Sequence, residues 1–326
     1  MTKADYARAM AREPHDFVAI YGPFALRSAF QPIFRQLPNG RLRLEAFEGL
    51  VRPVKGGTPV SPFGFFQAIL EEDRSFVDGL CRRLHIRNSV ELARPKATLF
   101  LNFDPGLFDN PAAMAIEAVE VRRLAESVGL PPRQIVCEIT EKKARDRRSL
   151  LSVTEDFRAH GFRIAVDDYG AEESDIARIE LLQPDIVKFD GEWVNGYMET
   201  DAGIELLRDI VNRFRARRIT TLFEGLEHAW QVDVAHALKV DLMQGYALAK
   251  PKSLPFDFNA LFPEEDQGGP APVLAQRADP PAAIAASGIE PARAQPPVGP
   301  IAAQIGAPVA ATHAAPARKP FGRRGL

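Results

Sequence analysis

Polar and charged residues stand where one short apolar run after another gives out. Glu48 follows LEAF, Asn102 follows TLFL and Glu138 follows IVC. Asp167 and Asp168 follow RIAV, Lys188 sits within DIVKFD, Glu224 follows TTLF and Gln244 follows DLM. Runs of this length and composition read as buried β-strands. In a closed parallel barrel such strand ends meet at one mouth. Several carboxylates in one mouth repel one another and resist ionisation. Hard divalent cations relieve that cost, and an all-oxygen donor set suits them. Each residue also has a plainer reading on its own. A single Glu, Asp or Lys is usually a solvated surface group. Asn102 ahead of Asp104-Pro105, Asp167-Asp168 ahead of Tyr169-Gly170, and Glu224 ahead of Gly225 all suit turns. The plain readings fail together, because independent surface residues have no reason to recur at the same end of successive strands.

The elements that must position these groups alternate. After the helix PFGFFQAILEE, with Ser61 at its N-cap and Pro62 in its first turn, come DGLCRRLHIRNSVELA, PAAMAIEAVEVRRLAESVG and SLLSVTEDFRAHG. DIARIELL, GIELLRDIVNRFRARR and AWQVDVAHALK follow. Strand and helix signals in turn mean a parallel sheet with helices outside. About eight strands between residues 23 and 263 fit an α/β fold of the (β/α)8, TIM-barrel type better than an open sheet. The start differs. LRSAFQPIF and RLRLEAFEGLVR are joined by LPNG, a turn short enough for a hairpin, so the first strand is expected to run antiparallel to its neighbour. Residues 1–22 are expected to form a short amphipathic helical extension. From Glu264 the composition shifts to Ala and Pro with few large apolar groups, so residues 264–326 are expected to be a disordered tail. It ends in Lys319-Pro320-Phe321-Gly322-Arg323-Arg324, either a solvated end or a docking motif for a protein partner.

The chain has 326 residues, is 46% apolar and carries a formal net charge of -2. That balance points to no nucleic acid and no anionic membrane as partner. No signal-like apolar segment opens the chain and no run of about 18 apolar residues occurs, so no membrane span is expected. Cys81 and Cys137 lack CxxC spacing, which suits a reducing, cytoplasmic setting. The six histidines show no HExxH spacing, against a zinc site. His228 reads as a helix N-terminal residue. Phe63, Phe65, Phe66 and Phe76 read as core. The pairs Arg82-Arg83, Arg147-Arg148 and Arg217-Arg218 read as solvated helix faces.

From Phe30 to Pro251 the chain resembles the EAL-domain family of cyclic di-GMP phosphodiesterases. The resemblance rests on FQPIF at 30–34, EGLVR at 48–52, NFDP at 102–105 and EITE at 138–141. It continues through DDYG at 167–170, VKFD at 187–190, EGLE at 224–227 and QGYALAKP at 244–251. Glu45-Ala46-Phe47 imitates the naming motif, but only Glu48 has an Arg, Arg52, four residues on. Strand parity agrees, since Glu48, Leu50 and Arg52 share a face that Glu45 does not. The motif here is Glu48-Gly49-Leu50, and loss of one methyl at Gly49 is expected to weaken packing slightly.

The resemblance implies two Mg²⁺ or Mn²⁺ ions. Glu48, Asn102, Glu138 and Asp168 would hold one, and Asp167, Asp168 and Glu224 the second. Lys188, Glu224 and Gln244 would act on the attacking water. Arg52 and Gln31 would meet the substrate, Arg52 through a non-scissile phosphate. The implied reaction opens one phosphodiester of cyclic di-GMP to give linear pGpG; a receptor or adaptor with little turnover is the alternative. In the family the loop after the fifth strand contributes to a homodimer contact and is braced by the residue at Glu141. Here that loop departs from the family pattern, reading Ala171-Glu172-Glu173-Ser174-Asp175, which bears on turnover and dimer control more than on metal binding.

Overall fold

The structure is a computed structural model. It describes residues 3–107, 111–139, 147–170, 175–256 and 258–263. Glu141, the loop residues 171–174 and the tail from Glu264 onward lie outside the described residues.

The chain opens with α1 (Lys3–Arg8), β1 (Met10–Arg12) and β2 (Phe17–Tyr21). Helix therefore occupies only part of the expected N-terminal extension. Pro14 bars a continuous helix, and the β-branched and aromatic run FVAIY finds a strand partner instead. β3 (Phe24–Gln36) and β4 (Leu42–Lys55) form the expected antiparallel hairpin. Its outer half, with β1, β2 and the two-residue β5 (Thr58–Pro59), stands as a ribbon beyond the barrel.

Next come α2 (Pro62–Gln67), α3 (Arg74–Ser89), β6 (Thr98–Phe103), α4 (Pro111–Ser127), β7 (Ile135–Ile139) and α5 (Arg147–Ala159). They are followed by β8 (Arg163–Tyr169), α6 (Asp175–Leu182), β9 (Ile186–Phe189), α7 (Gly191–Met198), α8 (Asp201–Ala216) and β10 (Thr220–Phe223). The chain finishes with α9 (Ala229–Ala237), β11 (Leu242–Met243), β12 (Lys252–Ser253) and α10 (Phe258–Leu261). Among the described residues eight strands close the barrel in the order β3, β4, β6, β7, β8, β9, β10, β11. β3 runs antiparallel to both neighbours, β4 and β11, and the other pairings are parallel.

One apolar layer fills the barrel. Ile33, Ala46, Phe100, Val136, Ala165, Ile186, Leu222 and Leu242, one from each strand, form a buried cluster of their own. The outward residues, such as Phe47, Leu101, Cys137, Val187 and Phe223, pack with the helices in a larger core. A second small core lies under the ribbon, where Phe24, Leu26 and Val51 meet Phe65, Val77, Leu80 and Leu84. Burying side chains of this size stabilises by about 1.5–3 kcal/mol each. The interior layer also makes a rigid floor for whatever stands above it.

α7 has no clear signal in the sequence, since GEWVNGYM is short and contains two glycines. Its N-cap is Asp190, whose Oδ1 accepts from the Trp193 N–H at 2.8 Å. Two side-chain expectations are corrected. Phe63 is 73% exposed and Phe66 40% exposed, while Phe65 is buried, because α2 has one face on the small core and one in solvent. Arg82 and Arg83 are buried, not solvated: both donate to the buried carboxylate of Glu117 on α4. A paired carboxylate on a neighbouring helix lets guanidinium groups enter a helix–helix interface. Arg217 and Arg218 are exposed as expected, and His228 is the N-cap of α9.

Candidate active site

Two residues beyond each member of the apolar layer, about 6.6 Å further along a strand, the barrel lining turns polar on every strand. The ring reads Gln31, Glu48, Asn102, Glu138, Asp167, Lys188, Glu224 and Gln244, with Gln31 reached by stepping backward on the antiparallel β3. Register places Gln31 directly across from Glu48 and Asn102 directly across from Glu138.

Two bulges adjust the ring. On β4, Ile33 pairs with Ala46 and Phe34 with Leu44, so Glu45 is an extra residue. Its carboxylate pairs with Arg35 at 3.0 Å and Arg43 at 2.7 Å, below the apolar layer. On β8, Val166 pairs with Val187 and Tyr169 with Phe189, so three steps oppose two. The extra residue breaks the alternation at Asp167-Asp168. Asp168 takes a left-handed backbone, φ 56°, which Asp tolerates better than most residues. The Asp167 carbonyl accepts from Arg178 Nη2 of α6 at 2.6 Å, fixing the bulged segment.

Lys188 is 1% exposed and its ammonium is the centre of the ring. Nζ lies 2.6 Å from Glu138 Oε1, 2.8 Å from Glu224 Oε1 and 3.0 Å from Asp167 Oδ1. Burial alone would lower its pKa, but Asp167, Glu138 and Glu224 outweigh burial and hold it well above the ordinary lysine value. Burial pushes Glu138 well above the usual carboxylate range, opposed by Lys188 and reinforced by Glu48, Asp167 and Glu224. Burial likewise raises Glu224 to about 8, against the pull of Lys188. Gln244 donates Nε2 to Glu48 Oε2 at 2.7 Å, and Asn102 donates a long bond of 3.5 Å to Glu48 Oε1.

The donor set fits a divalent cation. Both Glu138 oxygens, Asp167 Oδ1 and Gln244 Oε1 are buried without a hydrogen bond, Lys188 meeting the acidic oxygens only as an ion pair. Buried oxygens of this kind ask for a cation. Among the described residues no three His, Cys, Asp or Glu groups already surround one metal position. Glu138, Asp167 and Glu224 converge on the ammonium instead. An ion here would have to draw them partly away from Lys188.

A pocket of about 360 Å³ opens above the ring, lined by Gln31, Glu48, Asp167, Lys188, Glu224 and Gln244 together with Gly225, Glu227, Gly245 and Tyr246. Arg52 is outside it. It is half-buried four residues up β4 from Glu48, and its Nη1 donates to the Val51 carbonyl at 2.9 Å. Glu227 and Tyr246 are wall residues that sequence reasoning did not single out. Glu227 is set by the buried Gln231, whose Oε1 accepts from the N–H of Glu227 at 2.7 Å and of His228 at 2.8 Å. The three-residue spacing of His228 and Gln231 is that of a capping box and carried this signal. Gly225 has φ +62°, and its Cα lies where a Cβ on Gly191 would come within 2.9 Å. The first residue of α7 and the loop after β10 touch there, which requires glycine on both.

Gly49 corrects the expectation of looser packing. A Cβ at this position would come within 2.9 Å of the His85 ring. That ring is buried, bonded through Nδ1 to Ser28 Oγ at 2.8 Å, and fills the space.

The EAL domain model matches residues 25–251. "Probable cyclic di-GMP phosphodiesterase PdeA" of Escherichia coli strain K12 is 30% identical over 138 residues, 42% of this chain and 19% of that protein. The chain thus spans about a fifth of the length of that relative. The manganese and cy-diGMP complex of Klebsiella pneumoniae BlrP1 superposes with a TM-score of 0.62 at 25% identity, covering 72% of this chain and 57% of that one. The Bacillus subtilis YkuI protein, with an EAL domain, in complex with substrate c-di-GMP and calcium, gives 0.62 at 25%, covering 73% and 58%. No helix among the described residues is long and apolar enough to cross a membrane. With most of its barrel matched by the family model and the ring of polar strand ends in place, the chain belongs to the EAL-domain family.

Proposed function

We propose that the chain hydrolyses one phosphodiester of cyclic di-GMP with the help of Mg²⁺ or Mn²⁺. The observation that carries this reading is the polar ring, in which a buried lysine meets three carboxylates and both Glu138 oxygens and Asp167 Oδ1 are buried without a hydrogen bond. Glu48, Asn102, Glu138, Asp167, Asp168 and Glu224 would hold the ions. When bound, they supply the positive charge that clamps a phosphate and make water a better nucleophile. Water adds to phosphorus, one P–O3′ bond breaks, and the product keeps a 5′-phosphate and gains a 3′-hydroxyl.

The chain's own groups divide the remaining work. Lys188, fixed at the centre of the floor, orients the water and offsets charge as the P–O bond breaks. Gln244 holds Glu48 with its amide N–H and keeps Oε1 for a water proton. Gln31 lines the entrance beside Glu48. Arg52, higher on the same face, offers a planar fork to the phosphate that is not cleaved.

Lys188 also favours a second reading. Its ammonium already compensates three carboxylates, so the site can hold together as a cyclic di-GMP receptor with little turnover. Purified protein incubated with cyclic di-GMP and Mn²⁺ or Mg²⁺, with pGpG followed by chromatography, separates the two. Metal-dependent pGpG formation supports hydrolysis. Binding of cyclic di-GMP without pGpG over hours supports the receptor. Binding and turnover both absent end both.

A further inference from the structure

Behind the Asn102 strand end lies a buried charge cluster. Arg82 of α3 is 2% exposed. Its Nε and Nη2 donate to Glu117 Oε1 of α4 at 3.1 and 2.8 Å, and its Nη1 donates to Asp78 Oδ2. The same Nη1 reaches the carbonyl oxygen of Asn102 at 3.4 Å, and the guanidinium carbon stacks 4.1 Å above the Phe103 ring. Arg83 locks Glu117 from the other side, donating to both carboxylate oxygens at 2.8 Å. Tyr6 of α1 covers Arg83, ring over guanidinium at 3.9 Å. Asp78, Arg82, Arg83 and Glu117 balance two negative charges with two positive ones in a largely buried interface.

Well-packed apolar groups of similar volume often serve a helix interface at least as well as buried ion pairs. What a guanidinium does that a leucine cannot is bond a backbone carbonyl and hold an aromatic face at a fixed distance. Both partners of that kind, the Asn102 carbonyl and the Phe103 ring, belong to the last two residues of β6. Asn102 is the one member of the ring whose side chain is exposed and only loosely bonded, at 3.5 Å, to another member. Its placement therefore depends on its backbone. We infer that Arg82 is a positioning residue for Asn102, with Glu117 as the anchor that holds the guanidinium in place, so that loss of Arg82 weakens cation binding at the mouth.

The inference rests on the metal-site reading, and its test separates the two. Mn²⁺ binding to the full chain is measured by titration calorimetry, with the melting temperature followed in EDTA. Arg82→Met is expected to weaken Mn²⁺ binding by about 10–100-fold, the usual effect of losing an outer support of a metal ligand. Arg82→Lys, which keeps the charge but loses the fork, should fall between. Leu238→Ala, a core change at the C-terminal end of α9 and across the barrel from β6, is the control: it should lower the melting temperature and leave Mn²⁺ affinity unchanged. If Arg82→Met does not fold, Glu117→Gln, which removes the charge that holds Nε and Nη2 without emptying the interface, replaces it with the same expected direction. Unchanged Mn²⁺ affinity in a folded variant overturns the role of Arg82 while the metal site stands. A parent chain that binds no Mn²⁺ overturns the metal site, and the role of Arg82 with it.

Discussion

Removing the Lys188 ammonium leaves Glu138, Asp167 and Glu224 facing one another with no cation between them. Breaking a buried ion pair from one side costs about 3–5 kcal/mol. Lys188→Met is therefore expected to melt well below the parent in EDTA and to recover part of the difference when Mn²⁺ is added. Its kcat should fall far more than its affinity for cyclic di-GMP, as befits a group acting in the transition state. An unchanged melting temperature in EDTA would mean the carboxylates do not depend on this lysine. Gly49 and His85 form a second testable pair. Gly49→Ala puts a methyl within 2.9 Å of the imidazole, and overpacking of this sort costs about 1–3 kcal/mol. Combining it with His85→Ala should cost less than the sum of the single changes, whereas strict additivity in urea unfolding would deny the contact. The imidazole also sets a pH dependence. Burial, reinforced by Arg52 and Arg82, lowers the His85 pKa from 6.5 to about 3. Between those values the unfolded chain binds a proton that the folded chain refuses, so stability falls as pH falls, by about 1.4 kcal/mol per pH unit. His85→Gln should flatten the stability-versus-pH curve by about that slope between pH 6.5 and 5, before ordinary carboxylates titrate. Parallel curves for parent and variant would refute it.

The strands deliver these groups because alternation is strict wherever the ladder is regular and broken where it is not. Alternation predicts that Glu45 faces away from Glu48, but Glu45 is the bulged residue, where alternation breaks; what separates the two is depth, since Glu45 pairs with Arg35 and Arg43 below the apolar layer and Glu48 stands above it. Glu48→Ala is expected to abolish pGpG formation and Glu45→Ala to spare it; equal losses in two folded variants would mean the register is misread. The barrel and the ring were legible because period-two patterning and a polar residue at each strand end are local signals. Gln31, on the one antiparallel strand, comes before its apolar layer partner and not after it, so strand ends alone did not reveal it; the family motif did. The bulge at Asp167-Asp168 was not legible either, since nothing in RIAVDDY marks an extra residue until its partner strand is known. The same limit explains Arg82 and Arg83. On α3 they look like a charged face, and only the approach of Glu117 from α4, some thirty residues on, makes burial tolerable. Gly49 was read against a missing methyl, when the space is held by His85 from another element. FVAIY likewise became a strand because the free edge of β3 accepts it.

The family match ends at Pro251, but the packing of the barrel does not. Beyond that point Lys252 and Ser253 pair with Phe30 and Ala29 on β3. Phe258, 1% exposed, stacks on Phe47 with ring centroids 4.9 Å apart, and Phe262 meets Phe34 edge-on at 5.0 Å. Asn259 accepts from Arg94 Nε. Residues 252–256 and 258–262 thus cover the outer face of the hairpin whose inner face carries Gln31 and Glu48. From Glu264 onward the sequence turns to Pro and Ala and offers few large apolar groups for such a surface. A chain ending at Pro263 is therefore expected to melt within about 2 °C of the full chain, since a segment of this composition has little apolar surface to bury. A chain ending at Pro251 loses the buried Phe258, worth about 3–5 kcal/mol, and the partly buried Phe256 and Phe262. At about 2–4 °C per kcal/mol for a domain of this size, its melting point should fall by about 10 °C or more. Circular dichroism melts of the three chains in EDTA make the comparison without relying on activity. If the shorter chain melts with the full one, the hairpin does not need that cover; if the chain ending at Pro263 melts far below, the Pro- and Ala-rich segment packs as structure and the domain is longer than the barrel and its cover.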